Sequence, residues 1–239
     1  MAPDLPAAAG RRGLFYAVQE RIRNPSLTVL LILQLCVVFL TTPLAARGLP
    51  LARPIGETLI LAVLVIVVLL SQRRGAIAVI LLGLVGTLAG LAPAIASPTA
   101  TLALGRAGNM LMFGALTWVV ARAVYAPGRI TPHRLQGAVV VYLNIAVIFA
   151  AAYRLIWEFN PGAFAPLSAP VGAPSELAAM LYFSFTSLTT TGYGDIAPVD
   201  PFARSLANLE AVIGQFYLAI TVARLVTMEL ADRRGRPHP

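Results

Sequence analysis

Apolar residues run through this chain in long blocks, and short stretches rich in Arg, Pro and Gly separate them. Residues 1–25 are polar, with Pro3, Pro6 and Pro25; within them Gly13 to Ile22 forms either a short interfacial helix, with Leu14, Phe15, Val18 and Ile22 on its apolar side, or a loosely ordered tail. The first apolar block runs from Ser26, a candidate N-cap after Pro25, to about Ala46. Ile55 to Ser71, Gly75 to Ile95 and Thr101 to Ala126 follow, the first two separated by the basic turn Gln72-Arg73-Arg74. Pro127-Gly128-Arg129-Ile130-Thr131-Pro132 then breaks the pattern as a linker. Leu135 to Trp157 is a fifth block, and Ala203 to Leu230 a sixth. Between them lie an irregular loop, Asn160 to Pro174, and an amphipathic stretch, Ser175 to Leu188, too short to cross a bilayer. A hydrocarbon layer of about 30 Å takes about 20 apolar residues to span. The pattern therefore predicts an all-α membrane protein of six transmembrane helices with one re-entrant helix. Its divisions are 1–25, a polar segment; 26–126, a four-helix module; 127–134, a linker; 135–230, a second module; and 231–239, a short tail.

Composition agrees with the pattern. Of 239 residues, 58% are hydrophobic and 12% charged, against about 25% charged in soluble domains. The net charge of +8 does not indicate a nucleic-acid partner, because the arginines stand at the ends of apolar runs and not on one face. Cys36 is the single cysteine and lies in an apolar run, so no disulfide forms within one chain. No Ser-His-Asp set, metal-ligand cluster or phosphate loop is present, which argues against an enzyme. No cofactor is expected. Nothing at the N-terminus reads as a cleaved signal, and no ligand-binding regulatory domain is expected after the sixth helix.

The segment Thr189-Thr190-Thr191-Gly192-Tyr193-Gly194-Asp195-Ile196-Ala197 joins the amphipathic stretch to the sixth block. Alternating glycines accept left-handed torsions that other residues resist. A strand of that kind turns successive carbonyl oxygens to one side, and four such strands about an axis stack oxygen cages that replace the water around a potassium ion. The segment resembles the selectivity filter of potassium channels, usually Thr-Val-Gly-Tyr-Gly, with Thr191 in place of Val. Pro198 and Gly214, nineteen residues past Asp195, extend the likeness.

The resemblance covers about Arg134 to Leu230, and with the four preceding spans it resembles six-helix bacterial channels. It implies a homotetramer in the lipid bilayer, because each chain supplies one strand of the cage. It implies an ion-binding filter of Thr190, Thr191, Gly192, Tyr193 and Gly194, with potassium at Thr190, Thr191, Gly192 and Tyr193 and the Thr190 hydroxyl completing the innermost site. Tyr182, Phe183, Thr186, Ser187 and Asp195 would brace the filter. Tyr182 and Phe183 stand where relatives often carry tryptophans, and Thr186 where some carry a glutamate. Tyr182 and Thr186 are both expected to reach Asp195, and Ser187 or solvent the Tyr193 hydroxyl. Ser175 is expected to cap the pore helix, with Glu176 near its positive end. Gly214 is either the gating hinge of the inner helix or a point of close packing. Glu210, an inner-helix acid one turn earlier, either bonds the pore helix or attracts cations.

The four-helix module lacks the arginine repeat of a voltage sensor. Arg106 and Arg122 are the only basic residues in the fourth span, and Glu57 is the only acid in the second and third. Weak or absent voltage gating is expected, with Arg122 an interfacial anchor and His133 at the interface. Twelve arginines fall on one side and five on the other, which puts both termini in the cytoplasm of a multi-pass protein of the cell membrane. The expected function is passive, potassium-selective conduction. The alternatives are a subunit of a potassium transporter and a non-conducting membrane modulator.

Overall fold

Four long helices each begin on a proline: α2 (Pro98–Val124), α3 (Pro132–Phe159), α4 (Pro174–Leu188) and α5 (Pro201–Arg234). Proline suits a first helical position, where its missing N–H would have had no partner and its fixed φ is already helical. The computed structural model describes residues 27–52, 55–56, 58–60, 63, 81, 98–125, 132–167, 169–171 and 173–234. The expected second and third spans, apart from isolated positions, and the polar segment 1–25 with the Ser26 cap of the first span lie outside the described residues; so do Ala126, 127–131 of the linker and 235–239 of the tail.

Helix α1 covers Leu27–Ala46, and its turn Val37–Thr41 is widened to a π-helix. Pro43 explains the widening, because it lacks an N–H and its ring crowds the carbonyl four residues back. The Thr42 amide instead reaches the Val37 carbonyl, which also accepts the Thr41 and Thr42 hydroxyls at 2.9 and 2.8 Å. Among the described residues, three helices are long and apolar enough to cross a membrane: Leu27–Ala46, Arg134–Phe159 and Pro201–Arg224. Helix α2 has the length, 27 residues, but Gly105, Arg106, Gly108 and Asn109 dilute its apolar run.

Helices α2 and α3 form an antiparallel pair. At one end a Cβ on Gly137 would meet Val124 Cγ2 at 2.5 Å, so the backbones approach closely there. At the other end Arg106 meets Arg154 and Glu158. The two contacts are 18 residues apart on α2 and 17 from Gly137 to Arg154 on α3, about 26 Å of helix.

Helix α3 is the spine between two cores. Near its start Ala138, Val140 and Val141 pack with Leu27 and Leu30 of α1 and Met112, Leu116 and Val120 of α2. Near its end Ala150, Tyr153 and Trp157 pack with Met180, Leu181 and Phe183 of α4 and Ala203 of α5. Pro161 ends α3 at Phe159, since the residue before a proline avoids helical torsions. The loop beyond pairs β1 (Phe164–Ala165) antiparallel with β2 (Ala197–Pro198), Phe164 opposite Pro198. That ribbon ties the α3–α4 loop to the segment entering α5. Asp200 then caps α5, its Oδ1 accepting the Phe202 and Ala203 amides at 2.8 and 3.1 Å. Ser175 does not cap α4: Pro174 takes the first position, Ala173 precedes it in extended conformation, and no side chain caps the turn.

Candidate functional site

The site grows from the C-terminus of α4. Its last carbonyls need partners once the helix stops. The Thr189 amide and hydroxyl both donate to the Phe185 carbonyl, at 3.0 and 2.7 Å. The chain then reverses hand at alternate residues, with φ of 57° at Thr190, 56° at Gly192 and 78° at Gly194. Glycine accepts this readily; a β-branched threonine does not, at a cost of about 1–3 kcal/mol. Thr190 is held there by its own bonds: its hydroxyl donates to the Thr189 carbonyl at 2.7 Å and accepts from Gln215 Nε2 of α5 at 3.1 Å.

The amides of Thr191 and Gly192 both donate to the Thr186 carbonyl, at 2.8 and 3.1 Å. A trans peptide is planar, so each N–H opposes the carbonyl of the preceding residue. The Thr190 and Thr191 carbonyls therefore point away from α4, toward the open side of the strand. Thr189 to Asp195 are all exposed, and nothing lies within 4 Å of a Cβ built on Gly192 or Gly194. Tyr193 is 70% exposed and stacks on Tyr182, with ring centroids 6.1 Å apart and planes 2° from parallel. Among the described residues no three His, Cys, Asp or Glu side chains gather as a metal site. From Thr189 to Gly194, ahead of the exposed Asp195 carboxylate, the oxygens that a cation would meet on this strand are uncharged carbonyls and hydroxyls.

The bracing residues separate into two groups. Tyr182 faces the strand. Phe183 does not: it is buried in the α3–α4 core, 4.9 Å from the Tyr153 ring and 5.3 Å from the Phe164 ring. The Thr186 hydroxyl donates to the Phe183 carbonyl at 2.9 Å, so it is spent within α4 and not on Asp195. Asp195 Oδ1 accepts the Ile196 amide at 3.1 Å. Ser187 is half-buried near the end of α4, and no hydrogen bond joins it to Tyr193 among the described residues. A Thr189–Thr191 hydroxyl bond of 2.8 Å steadies the base of the strand.

Helix α5 backs the site. A Cβ added to Gly214 would overlap the Leu188 carbonyl oxygen, and it would stand 3.0 Å from Leu188 Cδ1, so α5 crosses the end of α4 at that glycine. Four residues earlier Glu210 is fully buried, and its carboxylate accepts Ser184 Oγ of α4 at 2.5 Å and Tyr153 Oη of α3 at 2.6 Å. Ser184 Oγ also lies 2.8 Å from the Ala146 carbonyl. Of the two roles open to Glu210, this geometry is the bond to α4. An acid inside apolar helices is tolerated when its oxygens are partnered.

The start of α4 carries an ionic cluster that the sequence did not reveal. Glu176 is fully buried and takes Arg106 of α2 at 3.0 Å and Arg154 Nε of α3 at 3.1 Å. Arg106 Nη1 also meets Glu158 of α3 at 2.8 Å and donates to the Arg154 carbonyl. Arg154 and Glu158 stand one turn apart in a membrane-length apolar run, and charges so placed demand partners; that was the available signal. At the other end of α2, Arg122 lies over the Trp118 ring at 4.7 Å. Arg224 of α5 donates to the Tyr125 carbonyl at 2.8 Å.

Residues 137–230 match a protein-family model described as "Ion channel". Protein LctB of Geobacillus stearothermophilus is 31% identical over 126 residues, 52% of this chain and 92% of that protein. A potassium voltage-gated channel protein of Caenorhabditis elegans, shk-1, is 31% identical over 80 residues, 34% of this chain and 15% of that one. The inward rectifier potassium channel Kirbac3.1 of Paramagnetospirillum magnetotacticum is 29% identical over 83 residues, 35% of this chain and 25% of that one. The chain thus spans nearly all of LctB but a quarter or less of the two channels. No solved structure matches.

Proposed function

The chain belongs to the LctB family and carries an ion-channel domain, and from that premise we propose that it is a potassium-selective channel built from four copies. It is a channel protein and not an enzyme. Four strands around an axis would surround a dehydrated potassium ion with the carbonyls of Thr190, Thr191, Gly192 and Tyr193, and the Thr190 hydroxyl would face the innermost site. The observation that carries this reading is the pair of amides, Thr191 and Gly192, bonded back to Thr186, which leaves the preceding carbonyls on the exposed side. Tyr182 and Tyr193, stacked beside the strand, set its spacing. The carbonyl end of α4 adds about half a negative charge toward the ion path. Conduction is passive, through six spans per chain, with both termini cytoplasmic and the strand toward the outer face of the cell membrane.

Voltage gating is weak in this reading. A sensor moves several charges through the field, each worth about 2.3 kcal/mol per 100 mV. Arg106 is buried on two carboxylates, and Arg122 is stacked on Trp118, so neither is free to cross. Tracer flux into liposomes holding the purified protein tests the proposal: rubidium enters and sodium is excluded. Equal entry of the two ions refutes it.

A further inference from the structure

Arg106 comes from the four-helix module, yet both of its ion pairs lie in the following module. Its guanidinium joins Glu158, near the end of α3, to Glu176, in the first turn of α4. Arg106, Glu158 and Glu176 are 3, 8 and 0% exposed, so water does not screen these pairs. The cluster holds two cations and two anions, and the partners are not interchangeable. Arg154 Nε reaches Glu176 at 3.1 Å, while the ion pair to Glu158 comes from Arg106. Arg106 thus fastens α2 to the start of α4, and the far end of α4 bears the strand through Thr186.

We infer that Arg106 is a positioning residue of the pore: through Glu176 it fixes the start of α4, and so the height and tilt at which α4 presents Thr186 to the strand. In this arrangement α2 is a fixed brace for the filter and not a moving element. The inference rests on the proposed channel function only for its electrical readout.

Removing Arg106 alone leaves Glu158 buried without its partner, which damages the fold whether or not the brace exists. The informative variant is the pair Arg106→Gln with Glu158→Gln. It keeps the cluster neutral, leaves Glu176 on Arg154, and removes the ties that Arg106 makes from α2. Glu158→Gln alone keeps the Arg106–Glu176 pair and serves as the control. Wild type, control and pair would be purified, checked for equal assembly and melting, and placed in liposomes. Hydrogen exchange at the Thr191 and Gly192 amides is read by mass spectrometry, and current decay by bilayer recording. The brace predicts that the pair exchanges these amides at least tenfold faster than wild type and that its current decays several-fold faster, while the control matches wild type on both. Exchange and decay at wild-type rates in a normally melting pair overturn the inference. Should the pair fail to assemble, the apolar pair Arg106→Met with Glu158→Leu removes the same tie without stranding a buried charge and again leaves Glu176 on Arg154, with the same expectation and the same overturning result. Absence of rubidium flux in wild type would sink the channel reading alone, because the exchange measurement still decides the brace.

Discussion

Substituting Gly214 by alanine tests the crossing of α5 over α4 through the sign of its effect. Alanine normally stabilises a helix interior by about 0.8–1 kcal/mol over glycine. At Gly214 the added methyl meets the Leu188 backbone carbonyl, with Leu188 Cδ1 at 3.0 Å behind it. A backbone group cannot rotate away as a side chain can. Overpacking of this kind costs about 1–3 kcal/mol, and the upper part of that range applies where the neighbour is main chain. The net expectation is a loss of about 1–2 kcal/mol per subunit. Gly114, in α2 with nothing within 4 Å of its Cβ position, is the matched control, and Gly114→Ala should gain about 0.5–1 kcal/mol. Denaturant unfolding of the purified protein in micelles, followed by tryptophan fluorescence, reads both. The reasoning is refuted if Gly214→Ala stabilises as Gly114→Ala does. A hinge role for Gly214 separates from packing in the same experiment: unchanged stability with reduced flux and unaltered selectivity would mark a hinge.

Tyr153→Phe keeps the ring that packs on Phe164 and Phe183 but strips one partner from buried Glu210; it should cost about 1.5–3 kcal/mol, and an unshifted denaturant midpoint would contradict this. Phe183→Trp brings no donor to Tyr193, because Phe183 faces the α3–α4 core; overpacking should lower stability by about 1–3 kcal/mol, and a more stable variant with slower current decay would show that its ring serves the strand instead. Thr191→Val restores the commoner filter sequence and removes the Thr189–Thr191 hydroxyl bond; the rubidium-to-sodium flux ratio should hold while stability falls by about 0.5–1.5 kcal/mol, and loss of selectivity would mean that the Thr191 hydroxyl takes part in ion coordination.

Local sequence carried most of what was legible. Unbroken apolar runs place α3 and α5 within a few residues of their ends, and Gly192 and Gly194 mark the positive torsions of the strand. The Thr190 hydroxyl is legible in the sequence and its left-handed torsion is not, because β-branched residues seldom adopt one. Ser175 misled as a cap because the proline before it is a good first helical residue. Which face of α4 meets the strand was not legible. Tyr182 and Phe183 are adjacent in sequence, so they point about 100° apart on a helix, and only the packing of α3 assigns Phe183 to the core. The cluster of Arg106, Arg154, Glu158 and Glu176 draws on three helices spread over seventy residues of chain, and single-helix periodicity carries no record of such a meeting.

The central claim is that main-chain oxygens of this strand, offered by four copies, replace the hydration shell of potassium. Its most direct measurement is the bi-ionic reversal potential of the purified channel in a planar bilayer, potassium on one side and sodium on the other. The account predicts a strongly potassium-selective reversal that is lost in a Gly192→Ala variant of normal assembly. A reversal at zero in the wild-type protein, with sodium carrying current as readily as potassium, would contradict it.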